Sequence, residues 1–162
     1  MNPSPSNHLF VVRLRLEDRS VSKRLETLGR VQPLEGTDAL LLSLSADSKE
    51  PRSWRQAQDA LGTAGTVQPV LLDEEGEPHY PTGEISVRFK DALEDDELRS
   101  FAARHDLRLL RRNEIVPQQA VFQPVDGSGS YLPEIVEKLE REDGIRAAWA
   151  NTLSRYQRAA VP

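Results

Sequence analysis

Three histidines, His8, His79 and His105, are the natural place to look for chemistry in this chain, because imidazole titrates near neutrality and binds metals. They lie far apart, and no pair has the spacing that presents two ligands to one ion. His105 reads as the cap of a helix C-terminus, where an imidazole is electrostatically favoured. The chain has no cysteine, which removes disulfides, thiolate nucleophiles and cysteine-type zinc sites together. No serine occupies a G-x-S-x-G elbow. The glycine-rich run Asp126-Gly127-Ser128-Gly129-Ser130 precedes a helical pattern but lacks the P-loop lysine and the full dinucleotide fingerprint. It reads as a turn ending in a cap. Arg108, Arg111 and Arg112 have carboxylates nearby and few aromatics to stack bases, so they read as a solvated strand edge. Trp54 and Trp149 read as core. No catalytic residue, no metal site and no cofactor is expected.

Composition points the same way. Of 162 residues, 38% are hydrophobic and 29% charged, with a net charge of −5, so the chain can bury a core. The acidic balance argues against nucleic acid as a partner, because phosphate contacts need clustered Lys and Arg. The opening MNPSPSNH has no basic segment followed by an apolar one, and no apolar run approaches the roughly 20 residues that span a bilayer. With no membrane partner and no cysteine, the expected location is cytoplasmic.

The elements that would carry a site come in two copies. In the first half, Phe10, Val12, Leu14 and Leu16 alternate with Arg13 and Arg15, predicting a half-buried strand over His8–Leu16. A helix from Ser20 carries Val21, Leu25 and Leu28 on one stripe and ends at Gly29. Strands over Arg30–Leu34 and Ala39–Ser45 follow, then a helix over Ser53–Leu61 and a strand over Thr66–Leu72. The second half repeats the order: a strand over Glu84–Lys90, a helix over Glu94–His105 with an acidic first turn, strands over Leu107–Arg112 and Gln119–Val125, a helix capped by Ser130, and a strand over Ile145–Thr152. The expected fold is therefore α+β, two tandem ferredoxin-like βαββαβ units with antiparallel sheets, residues 1–75 and 76–162. The acidic, Pro- and Gly-containing stretch Asp73–Gly83 reads as a linker or ordered connection. One larger sheet joining both halves is the alternative.

The run TGEISVRFKDALEDDELRSFAARHDLRLLRR, Thr82–Arg112, resembles the opening of the prodomain of subtilisin-like serine proteases. The matching positions are Gly83, Glu84, Ile85, Val87, Arg88, Phe89 and Lys90, then the acidic helix start Glu94–Glu97, His105 and Leu107. The close, from Leu139 through Gly144, Ile145 and Ala148 to Asn151, is similar too. The likeness covers residues 82–153; the first half matches in element order alone. It implies a module that assists folding of a subtilisin-like protease and then inhibits it, in cis or in trans, by docking its sheet and threading its C-terminal segment through the substrate cleft.

That implication assigns roles. The sheet face not covered by helices is expected to carry Leu110, Val121 and Ala148, whose parity opposes Leu109, Phe122 and Trp149, and an apolar face of that kind marks a partner site. Glu114, between the middle strands, is the candidate to cap helix N-termini of the protease. Leu153, Ser154, Arg155 and Tyr156 are the candidate cleft segment, Leu153 and Tyr156 standing three apart as the resemblance requires. A second expectation of another class is a tandem ferredoxin-like module that binds a regulatory ligand or mediates assembly.

Overall fold

The structure, a computed structural model, describes residues 3–14, 19–44, 53–125 and 131–154. It is a mixed α+β protein with eight strands and four α-helices among the described residues. Among the described residues the chain divides into two compact units, the first running to Pro81 and also taking in Thr152–Ser154, the second comprising Thr82–Val125 and Tyr131–Asn151. The division falls a few residues beyond the expected 75/76 boundary.

In the first unit the order is β1 (Ser4–Leu14), α1 (Arg19–Glu26), β2 (Gly29–Pro33), β3 (Leu40–Leu44), α2 (Ser53–Leu61), a single 3-10 turn, and β4 (Gly65–Leu72). The strands lie in the order β2-β3-β1-β4, and every pair is antiparallel. Residues in one register row share a face, so Phe10 with Leu42, and Val12 with Leu40 and Val67, turn towards the helices. There they pack with Val21 and Leu25 of α1 and with Ala57 and Leu61 of α2. Gln58 is buried beside them. Its Oε1 accepts from the Val67 N–H at 3.0 Å, and its Nε2 donates to the Gly62 carbonyl at 3.2 Å, tying α2 to β4.

A second apolar cluster occupies the opposite face of the same sheet: Val11, Leu34, Ala39 and Val70, with Leu9, Leu41, Leu72 and Tyr80 packed against them. Simple alternation did not anticipate it. Its signal is present in unbroken apolar runs, Leu9-Phe10-Val11-Val12, Leu40-Leu41-Leu42 and Val70-Leu71-Leu72, which mark strands buried on both faces.

Of the two readings of Asp73–Gly83, a linker or an ordered connection, the structure shows the ordered connection. Asp73 closes a tight turn, its Oδ1 accepting from the Glu75 and Glu77 N–H groups at 2.9 Å each, and its Oδ2 meets His79 Nε2 at 2.9 Å. Strand β5 then begins at Pro78, and its first residues pair with β4, Leu71 opposite His79. Proline and acidic side chains suggest a loop by composition, but the Asx turn satisfies the backbone locally and lets the chain reverse directly into a strand.

The second unit continues from β5 (Pro78–Phe89) through α3 (Asp95–Arg104), β6 (Leu107–Arg112), β7 (Gln119–Pro124) and α4 (Leu132–Glu140) to β8 (Ile145–Ser154). Its strands lie in the order β8-β5-β7-β6. The β5/β7 and β6/β7 pairs are antiparallel, and β8 runs opposite to β5: Lys90 N–H donates to the Gly144 carbonyl at 2.8 Å, and Thr82 Oγ1 to the Asn151 carbonyl at 3.3 Å. Glu94 and Glu97 form a reciprocal capping box at the start of α3, answering the acidic first turn read from the sequence. The core joins Ile85, Val87 and Phe89 of β5 and Phe122 of β7 to Leu98 and Phe101 of α3 and Leu132 and Leu139 of α4. Phe101 stands edge-on to Phe89, ring centroids 5.0 Å apart.

Candidate functional site

On the second unit's sheet, the face away from α3 and α4 is assembled from residues offset by one from the core row. Ser86 pairs with Val121 and Val121 with Arg111, while Ile85, Phe122 and Leu109 form the neighbouring row that faces the core. Val121 therefore lies on the side expected for it. It is nonetheless buried, 7% exposed. The Arg111 guanidinium reaches from β6 to Glu84 on β5 with a two-pronged contact, Nη2–Oε1 at 3.0 Å and Nη1–Oε2 at 3.2 Å. Because β7 lies between those strands, that bridge spans β7. The hydrogen bond to Glu84 also raises the Arg111 pKa above its ordinary value.

Alongside, Arg88 Nη2 donates to Gln119 Oε1 at 3.1 Å, and its guanidinium lies 6.0 Å from the centre of the Trp149 ring. Ser86 Oγ donates to Asn151 Oδ1 at 2.7 Å. The face expected to be bare and apolar is thus a lattice of polar and ionic contacts around one half-buried tryptophan. Alternation told which residues lie on this face, but not that long arginine side chains would fold across it.

Ala148 corrects an expectation. It belongs to the helix-side core, 2% exposed, and Trp149 takes the outer face instead of the core position read from the sequence. Ile145 and Ala148 both enter the core although three residues apart, so the alternation of β8 shifts by one between them, and a strictly two-residue period assigns Ala148 to the wrong face. Leu110 is half-buried, at the point where the pairing of β6 with β7 slips between Leu109 and Arg111. Trp54 packs against the first unit's core and donates from Nε1 to the Val67 carbonyl at 2.7 Å.

Glu114 is exposed on the β6–β7 turn. That turn is tightly built: Asn113 Oδ1 accepts from the Ile115 and Val116 N–H groups at 2.9 Å each, Asn113 N–H donates to the Gln119 carbonyl at 2.9 Å, and Gln119 N–H to the Val116 carbonyl at 3.0 Å. Ile115 projects from it, 91% exposed.

The candidate cleft segment is divided. Leu153 and Ser154 complete β8 and do not extend beyond it, whereas Arg155 and Tyr156 lie outside the described residues, as do Ser130 and the glycine-rich run 126–129. His105 stands at the C-cap of α3, its N–H donating to the Ala102 carbonyl at 3.1 Å, and its ring pairs with Glu142, which also binds Arg104 at 3.1 Å. Beside this cluster a groove of about 520 Å³ opens between α3 and the start of β8, with Phe89, Leu93 and Phe101 beneath and Asp96 and Asp143 at its rim.

Among the described residues, no group of three or more His, Asp or Glu is placed to hold a metal ion, and no helix is long and apolar enough to cross a membrane. No protein-family model and no curated protein matches the chain.

Proposed function

We propose that the chain is a protease-binding module of prodomain type: two tandem ferredoxin-like units, of which the second engages a subtilisin-like serine protease, assists its folding and inhibits it. Each unit runs βαββαβ with its first and third strands in the middle of the sheet, an arrangement compatible with that fold. The observation that carries the functional reading is the coincidence of the prodomain-like residues with backbone positions that need them. Gly83, at φ 93°, lies just inside the second unit, and Gly144, at φ 90°, turns the chain out of α4 into β8; both conformations favour glycine. Between them, Ile85, Val87 and Phe89 supply the core, and Glu94–Glu97 the cap of α3.

On this reading the lattice of Arg88, Gln119, Trp149, Glu84 and Arg111 is the docking face, and the segment after Ser154 enters the substrate cleft. The test is inhibition in trans. Purified full-length chain is expected to inhibit a subtilisin-like protease on a chromogenic peptide, and removal of residues 155–162 to weaken that inhibition at least tenfold. Undiminished inhibition by the truncated chain would rule out the threaded segment.

A second reading, a ligand-binding or assembly module, draws on the polar character of the same face. Arg88 Nε is buried there without a hydrogen-bond partner among the described residues, a donor that an acidic ligand would satisfy. Binding that is indifferent to removal of residues 155–162 but abolished by Arg88→Met would favour it.

A further inference from the structure

The groove between α3 and the start of β8 lies on the helix side of the second unit, away from the lattice of Arg88, Gln119 and Trp149. Leu93 and Phe101 supply an apolar floor. Four carboxylates stand around it, Asp96 and Glu97 on α3 and Glu142 and Asp143 in the turn that leads into β8, against one guanidinium, that of Arg104. Two of the four are engaged within the fold. Glu97 Oε1 accepts from the Glu94 N–H at 3.0 Å in the α3 cap, and Glu142 holds His105 and, at 3.1 Å, Arg104. Asp96 and Asp143 are exposed, and among the described residues neither has a cation within ion-pair distance.

We propose that this groove recognises a basic peptide segment of a partner protein, one Arg or Lys laying its aliphatic stem over Leu93 and Phe101 and bringing its charge to Asp96 and Asp143. The site is independent of the protease-binding reading, because it lies on the opposite side of the sheet from the docking face named there. Its occupant follows from charge and shape. A volume of about 520 Å³ suits a side chain with its neighbours and not a lone ion, and among the described residues no group of three or more His, Asp or Glu is placed to hold a metal. Long basic side chains join an apolar stem to a charged head, which matches an apolar floor ringed by carboxylates. Arg104 shows that fit from within the fold. Its guanidinium lies 5.8 Å from the centre of the Phe101 ring and pairs with Glu142, yet its side chain is 63% exposed, so it makes the contact without filling the groove. Gly144 adds no side chain to the wall, and nothing lies within 4 Å of where a Cβ would stand, which leaves room for an approaching backbone.

The experiment selects binders of the full chain from a displayed library of random hexapeptides and measures the affinity of the selected peptides. The selected sequences are expected to carry Arg or Lys beside an apolar residue; a selection free of basic residues, or no selection at all, would overturn the proposal. Asp96→Asn combined with Asp143→Asn is expected to weaken a selected peptide about tenfold and to flatten its salt dependence. Arg104→Gln, which frees Glu142 and the face of Phe101, is expected to tighten it about threefold. All three positions are exposed, so the thermal melts of these variants are expected to stay near that of wild type. Equal affinity for wild type and the double variant would overturn the site. Removal of residues 155–162, which include Arg155 and Arg158, is expected to leave the affinity unchanged; a rise of about tenfold or more would make the chain's own basic end the occupant and overturn the partner.

Discussion

In the first unit the sheet face away from α1 and α2 carries Val11, Leu34, Ala39 and Val70, an apolar cluster as dry as the core on the other side. The corresponding face of the second unit carries Glu84, Ser86, Arg88 and Gln119, joined by hydrogen bonds and an arginine resting on a tryptophan. One strand order therefore supports two surfaces of different use. A face filled with Val and Leu is spent on stability, because apolar side chains leave water wherever they find neighbours. A face of paired charges and amides is specified by geometry, can exchange its partners for those of another molecule, and costs little to keep exposed.

The sharpest way to break this contrast is to put a charge on each face. Val11→Asp buries a carboxylate among Leu34, Ala39 and Val70, and is expected to cost more than about 3 kcal/mol in urea denaturation. Val121→Asp stands opposite Arg111 in the register of β6 and β7, which offers the new carboxylate a cation, and is expected to cost under about 1.5 kcal/mol. Equal losses would mean that the second face is apolar in energy whatever its composition.

A smaller effect tests the polar tie within the first unit. Gln58→Leu leaves the buried Val67 N–H without its acceptor and is expected to cost about 1–3 kcal/mol in the same measurement, whereas Gln58→Glu keeps an acceptor at that position and is expected to cost less if the carboxyl is protonated near pH 4.

The smallest effect is the pH dependence of the turn before β5. Asp73 has its pKa lowered from the ordinary value of 3.8, first by its hydrogen bond with His79 and then by the Glu77 N–H. A carboxyl depressed on folding contributes stability that is complete above its unfolded pKa and is lost as the pH falls through the folded one. Lowering the pH below about 4 is therefore expected to destabilise wild type slightly more than Asp73→Asn, as read from urea midpoints, and identical pH profiles would refute the contribution.

Much of the fold was legible in the chain. The bounds of α2 and β6 coincide with the expected ones, and the alternation of Ile85, Val87 and Phe89 and the stripe of Leu132 and Leu139 identify real core positions, because burial imposes a period of two on strands and of 3.6 on helices. The candidate site was less so. Val121 was assigned to the correct face, Ala148 to the wrong one, and neither Arg111 crossing to Glu84 nor Ile115 standing clear of the surface had any signal in local pattern.

What the sequence by itself determined is therefore the list of elements, their order and most of the residues that face the helices, since these follow from periodicity, caps and turn chemistry acting over a few neighbouring residues. Only the tertiary structure decided what lies on the other side of each sheet. That depends on where β8 shifts its alternation, which strands lie between Arg111 and Glu84, and which way the β6–β7 turn directs its side chains. Those are contacts between residues far apart in the chain, and local preferences carry no information about them until the strands have paired.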